Sequence, residues 1–187
     1  MTAVTTSTTT HTTFASPIGE LTLVADAGTL TGLYFPHHWY KPDPATFGSR
    51  SDQEFAPARR QLAEYFAGQR DQFDLPADAR GDDFQRRVWA LVSRIPYGQT
   101  TTYGDLAREL GAGERGGGVR GGGERGGAVL AKDVGAAVGR NPLCVIVPCH
   151  RVVGKNGALT GYAGGLGRKR FLLSLEEPAD QRLARLW

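Results

Sequence analysis

Asn141-Pro142-Leu143-Cys144-Val145-Ile146-Val147-Pro148-Cys149-His150-Arg151-Val152-Val153 is the stretch on which the rest of the chain turns. A continuous, β-branched apolar run between two prolines predicts a short buried strand over residues 143–147. Pro142 cannot donate to a ladder and Pro148 keeps Val147 extended, so both ends have hard stops. Cys149 follows the second stop, with His150 and Arg151 beside it as neighbours that favour a thiolate. Side chains alternate in extended chain, which makes a bridging water the route from His150 to Cys149. By the same alternation Cys144 and Cys149, five apart, are expected to face opposite ways, with Cys144 a small buried hydrophobe. A cysteine in an apolar run often reads as inert packing. The cluster Pro-Cys-His-Arg after Asn-Pro favours a reactive one.

Working outward, Asp82 or Asp83 caps a helix with Phe84, Val88, Leu91, Val92 and Ile95 at helical spacing. Thr102 caps a second, with Asp105 three residues on and Tyr103, Leu106, Ala107 and Leu110 on one face. Gly111 is expected to stop it. Another helix is predicted over residues 128–138, where Gly135, Ala136 and Ala137 would let the backbone approach a partner closely. Two short helices in this order have the form of a helix-turn-helix, whose second helix enters a DNA groove. Between them, residues 113–127 repeat a charge followed by glycines, composition that predicts a flexible loop. Arg115, Arg120 and Arg125 there can reach phosphates, although Glu114 and Glu124 leave only +1 and a solvated spacer is the plainer reading. Arg140-Asn141 closes the segment onto the cysteine stretch, and an Asn at such a turn can bond neighbouring backbone and brace the thiol loop.

After Cys149, residues 154–160 read as a turn and Gly161-Tyr162-Ala163-Gly164-Gly165 as a mobile wall. Residues 166–175 form a closing helix with Glu176 at its end. Upstream, a hairpin turns at Ser16-Pro17-Ile18-Gly19, a third strand follows at 31–35, a loop at 37–51 and a helix at 55–67. No chemistry is visible in that small α/β half. It reads as a scaffold.

Pro148-Cys149-His150-Arg151-Val152, the Asn141-Pro142 before it, and Tyr162-Ala163-Gly164-Gly165-Leu166 with Lys169 and Glu176 after it resemble one family in order and spacing. That family is the alkylguanine-DNA alkyltransferases (methylated-DNA–protein-cysteine methyltransferases). The resemblance runs from about residue 14 to the C-terminus and is strong after Phe84. It implies an α+β fold, with a small N-terminal α/β, ribonuclease-H-like domain at 14–80, before which the threonine-rich residues 1–13 read as a flexible tail. A mainly helical C-terminal domain at 81–187 would carry the helix-turn-helix and the active-site cysteine loop. It also implies roles. Glu176 would orient His150, His150 would take the Cys149 proton through water, and the thiolate would displace guanine from the alkyl carbon. Tyr103 would donate a proton toward the leaving purine, Asn141 would brace the loop, the Val152 backbone would read the base edge, and Tyr162 would line the pocket. Lys132, Gly135, Ala136, Arg140, Ala163 and Lys169 fall among the substrate- and DNA-binding positions. This sequence departs from the family pattern in three places. Lys132 stands where the family usually has an intercalating arginine, and lysine has no planar fork to stack. Ala163 stands where a serine is common, removing one hydrogen bond to the base. Residues 113–127 replace a tight turn.

Composition agrees with a soluble DNA-binding chain. Of 187 residues, 40% are hydrophobic, yet no apolar run approaches the roughly 20 residues of a membrane span. The threonine-rich start lacks the basic and apolar regions of a secretion signal, so a cytoplasmic protein is expected. Two cysteines make no disulfide framework, and the first half has none to hold the structural zinc of some relatives. His11, His37 and His38 make no case for a metal, and no cofactor is expected. Residues 1–80 carry 6 Lys and Arg against 9 Asp and Glu, a charge of −3, while residues 81–187 carry 16 against 10, a charge of +6. Only the second half is therefore expected to face a polyanion. The expected partner is double-stranded DNA containing alkylated guanine, met by a monomer whose cooperativity along DNA is left open. Two rival readings are a non-catalytic helix-turn-helix DNA-binding protein and a Cys-His hydrolase that turns over repeatedly.

Overall fold

Ser16-Pro17-Ile18-Gly19 turns the chain as its composition predicts. β1 (Thr9–Ser16) pairs antiparallel with β2 (Gly19–Asp26), placing Phe14 opposite Leu21. The computed structural model describes residues 9–116 and 129–178. β3 (Thr29–Tyr34) joins the far edge of β2, and β4 (Ser49–Arg50) lies parallel to β1, so the sheet order is β3-β2-β1-β4. The tail expected at 1–13 is corrected by this pairing, because the backbone of Thr9 to Thr13 is bonded along β2. Residues 1–8 lie outside the described residues. The 37–51 loop also gains structure, a 3-10 turn at Pro44–Thr46 and then β4.

α1 (Ala56–Phe66) packs Ala58, Leu62 and Tyr65 inward at i, i+4 and i+7. α2 (Asp83–Val92) opens on a capping box: Gln85 N donates to Asp82 Oδ1 at 2.8 Å while Asp82 N donates to Gln85 Oε1 at 3.1 Å. Its Trp89 Nε1 donates across to the carbonyl of Ala137 at 2.9 Å, tying it to α4 (Ala131–Gly139). α3 (Tyr103–Gly116) begins where Thr102 predicts, with Asp105 N donating to Thr102 Oγ1 at 3.1 Å. Gly111 does not end α3. A glycine costs a helix only about 1 kcal/mol, less than the burial of Leu106, Ala107 and Leu110 supplies. Residues 113–116 of the expected loop are thus helical, while residues 117–127, with Arg120 and Arg125, lie outside the described residues. α5 (Leu166–Glu176) closes the described chain.

One continuous core runs through both halves. It takes Leu21, Leu23 and Leu33 from the sheet, Leu62 from α1, Val88 and Val92 from α2, Val134 from α4, and Leu143, Cys144 and Cys149. Backbone bonds join the halves as well, Leu33 N donating to the Pro142 carbonyl at 2.7 Å. β5 (Thr101–Thr102) and β6 (Val152–Val153) pair in parallel, fixing the start of α3 against the chain just past Cys149. No helix among the described residues is long and apolar enough to cross a membrane.

Candidate active site

The expected strand at 143–147 is a tight turn. Val145 has φ 74°, a left-handed conformation that β-branched residues rarely adopt. Asn141 imposes it: its Nδ2 donates to the Val147 carbonyl at 2.8 Å and its Oδ1 accepts from Leu143 N at 2.9 Å. Val147 N also donates to the Leu143 carbonyl at 2.8 Å, so the run folds on itself. Strain of this kind costs about 1–3 kcal/mol, within reach of the roughly 1.5–3 kcal/mol gained per buried aliphatic side chain. Leu143, Val145 and Val147 are all buried. After Pro148, Cys149 to Arg151 form a 3-10 turn.

That folding reverses a second expectation. Cys144 and Cys149 face each other, Sγ to Sγ 3.8 Å, because the turn replaces the alternation of extended chain. The Cys149 thiol is drawn below its ordinary value chiefly by its hydrogen-bond contact with Cys144, against burial, which pushes it up; Asn141, the Lys169 charge and Tyr162 act in the same direction as Cys144. The sequence neighbours do something else. Arg151 turns away, its Nη1 donating to the Ile95 carbonyl at 2.6 Å and its Nε and Nη2 to Glu176 at 2.8 and 2.9 Å.

Glu176, at the end of α5, accepts at one buried carboxylate from both halves of the chain. Tyr65 Oη donates to its Oε1 at 2.6 Å, His150 Nε2 to Oε1 at 2.9 Å, and Gly98 N to Oε2 at 3.3 Å. Although burial pushes the Glu176 carboxyl up, the hydrogen bonds from His150 and Arg151 hold it down to about 2. A carboxylate only accepts, so the shared proton sits on His150 Nε2 and the free lone pair on Nδ1, which is buried without a hydrogen-bond partner. Burial lowers the His150 pKa, although Glu176 opposes it, and keeps the ring neutral.

Cys149 opens into a cleft of about 490 Å³ whose wall includes Tyr103, Lys132, Gly135, Ala136, Tyr162 and Ala163. A larger cleft of about 810 Å³, behind Val145, Ile146 and Pro148, reaches neither cysteine. Tyr103 stands at the start of α3, facing Gly135 of α4, where a Cβ would lie 3.7 Å from its ring. Burial raises the Tyr103 phenol, keeping it a proton donor. Lys132 is exposed on α4, and Arg140, just past its end, places its guanidinium 5.2 Å over the Tyr40 ring. Lys169 lies behind the wall and holds the buried Val152 from there. Lys169 Nζ donates to the carbonyls of Val152 at 2.6 Å, Thr160 at 3.0 Å and Gly161 at 3.4 Å. Burial pulls its pKa down to about 8, with Cys149 opposing. Lys169 therefore braces the pocket from inside and does not face the open cleft, a correction to its placement among DNA contacts. The wall is less free than its glycines predict. Tyr162 packs 5.7 Å from Phe35, and a Cβ on Gly164 would fall 2.4 Å from the same ring.

The N-terminal half is more than a scaffold. Trp39 and Tyr40 line the cleft beside Cys149, and Trp39 is 72% exposed. Tyr65 bonds Glu176 across 111 residues. Nothing in the local sequence marks these three.

A DNA-repair alkyl acceptor is what this thiol, cleft and small-residue helix define, and the comparisons agree. Residues 83–178 match the family model "6-O-methylguanine DNA methyltransferase, DNA binding domain", and residues 9–79 match its ribonuclease-like domain. The chain belongs to the 6-O-methylguanine DNA methyltransferase family. It is 45% identical over 182 residues to the methylated-DNA–protein-cysteine methyltransferase of Mycobacterium tuberculosis (strain ATCC 25618 / H37Rv), covering 91% of this chain and 96% of that one. It is 39% identical over 170 residues to the constitutive enzyme of Bacillus subtilis (strain 168), covering 89% and 94%. The crystal structure of M. tuberculosis OGT in complex with DNA superposes with a TM-score of 0.76 at 42% identity, covering 92% of this chain and 97% of that one.

Proposed function

We propose that this protein repairs double-stranded DNA by moving the alkyl group of 6-O-alkylguanine irreversibly onto Cys149. The observation that carries the reading is the convergence of Cys149, Tyr103 and Tyr162 on one cleft beside α4, with His150 and Glu176 paired behind the thiol. The target oxygen lies inside a duplex, so the base must be everted, at a cost of a few kcal/mol. α3 and α4 act as a helix-turn-helix, α4 entering the groove with Gly135 and Ala136 allowing close approach and Lys132 and Arg140 meeting the strand. The basic half, residues 81–187, faces the DNA, and residues 14–80 support it.

In the reaction, His150 Nδ1 takes the Cys149 proton through water. The sulfur attacks the alkyl carbon, the carbon–oxygen bond breaks, and its electron pair stays with the purine, toward which Tyr103 donates a proton. The Val152 backbone and Tyr162 hold the base. The product is a thioether that no neighbouring group hydrolyses, so each molecule acts once. No cofactor enters. The protein works in the cytoplasm as a monomer.

Duplex carrying labelled 6-O-methylguanine tests this. Label should appear on the protein at one equivalent and map to Cys149. Release of label in many equivalents would indicate a hydrolase, and binding without transfer a regulator. Lys132→Ala is expected to weaken duplex binding and to reduce the slope of log affinity against log salt by about 1. An unchanged slope and repair rate would remove Lys132 from the DNA surface.

A further inference from the structure

Cys144 takes no part in the chemistry above, and it is sealed at 0% exposure. Its sulfur nevertheless touches three polar groups: the Cys149 sulfur at 3.8 Å, the Asn141 carbonyl at 3.7 Å and His38 Nδ1 at 4.0 Å. One S–H proton thus has competing acceptors. When Cys149 ionises, its thiolate becomes the strongest of them, because charge-assisted hydrogen bonds are about twice as strong as neutral ones.

We propose that Cys144 is a positioning residue for alkyl transfer, its thiol donating a hydrogen bond to the Cys149 sulfur and holding it as the thiolate that attacks; the inference rests on Cys149 being the acceptor. The other groups around the pair leave this place open. Lys169 has its ammonium on three carbonyls, Asn141 has its amide on Val147 and Leu143, and Asn141 and Tyr162 act on the Cys149 sulfur less strongly than Cys144 does. Tyr103 is kept a neutral phenol by burial. On the Cys144 side, burial and then Lys41 pull His38 down to about 4, so it brings no charge, and Tyr34 is pushed up to about 12, first by burial. His150 is turned to Glu176. The two thiols are driven apart: the hydrogen bond with Cys149 and burial hold Cys144 well above its ordinary value, while Cys149 falls below its own. Divergent titration of adjacent groups marks a donor and an acceptor.

Thiolate absorbance at 240 nm, followed against pH on the full chain without DNA, reads the pair directly. Wild type should show one thiolate forming early, Cys149→Ser should leave only a late transition, and Cys144→Ala should move the early one up by about one pH unit. On methylated duplex, Cys144→Ala should then transfer about tenfold more slowly below its transition and converge with wild type at alkaline pH. Cys144→Ser, which keeps a donor, should stay near wild type. An early transition that does not move in Cys144→Ala would overturn the proposal. So would an equal loss in the alanine and serine variants at every pH, the mark of packing alone. A shifted titration with an unaltered transfer profile would also overturn it, whereas label that maps away from Cys149 would remove Cys149 as acceptor, so the two failures are separable.

Discussion

Cys149→Ser is expected to lower alkyl transfer at least about a thousandfold while leaving duplex affinity within about twofold of wild type. The hydroxyl occupies nearly the same volume and keeps the 3-10 turn, so the fold and the α4 surface persist. What is lost is the anion. A thiol near its ordinary value is a few per cent ionised at neutral pH, and here the surroundings raise that fraction, whereas a serine hydroxyl has no comparable ionised form. Single-turnover assays with labelled methylated duplex, beside a binding isotherm on the same duplex, would measure both halves. Transfer surviving in the serine variant would place the acceptor elsewhere.

Glu176→Gln is expected to affect stability and reaction together. The substitution leaves the Arg151 guanidinium buried without its counter-charge, and breaking a buried pair from one side costs about 3–5 kcal/mol. For a chain of this size that corresponds to a fall in Tm of about 6–20 °C. It also removes the charge opposite His150 Nε2, so transfer should drop by about a hundredfold, within the range general-base help supplies. The pH dependence has a definite sign. Glu176 is held at about 2, below its ordinary 4.5, so its contribution is complete above about 4.5 and is lost as pH falls toward 2. The stability gap between wild type and variant should therefore be constant near neutrality and narrow across that acid window. A gap independent of pH down to 2 would show that packing, not charge, holds the helix end.

How much of this the chain declares in advance depends on the range of the interaction. Thr102 and Asp105 lie three residues apart and the cap forms where composition places it, while of the two candidates Asp82 and Asp83 it is Asp82 that caps, with Gln85 three residues on. The hairpin and α1 are equally local. The turn at Cys144 is not, since an apolar run between prolines looks like a strand until the Asn141 side chain is seen to reach Val147. The same turn, invisible locally, brings the two sulfurs face to face where extended chain would part them. Lys169 was legible as a motif position but not as a buried ammonium, because its partners are backbone carbonyls that carry no residue signature. The contributions of Trp39, Tyr40 and Tyr65 depend on how the halves meet, which no local pattern encodes.

Glu176 receives Tyr65 from one half and His150 from the other, so a single oxygen, Oε1, is common to the seam and to the reaction centre. The two halves are not interchangeable modules. Grafting a foreign ribonuclease-like portion onto this helical portion would leave His150, the base proposed for the Cys149 sulfur, misaligned unless a hydroxyl arrived at the same spot. On the proposed mechanism a lesion at position 65, remote in the chain, is in effect a lesion in the chemistry.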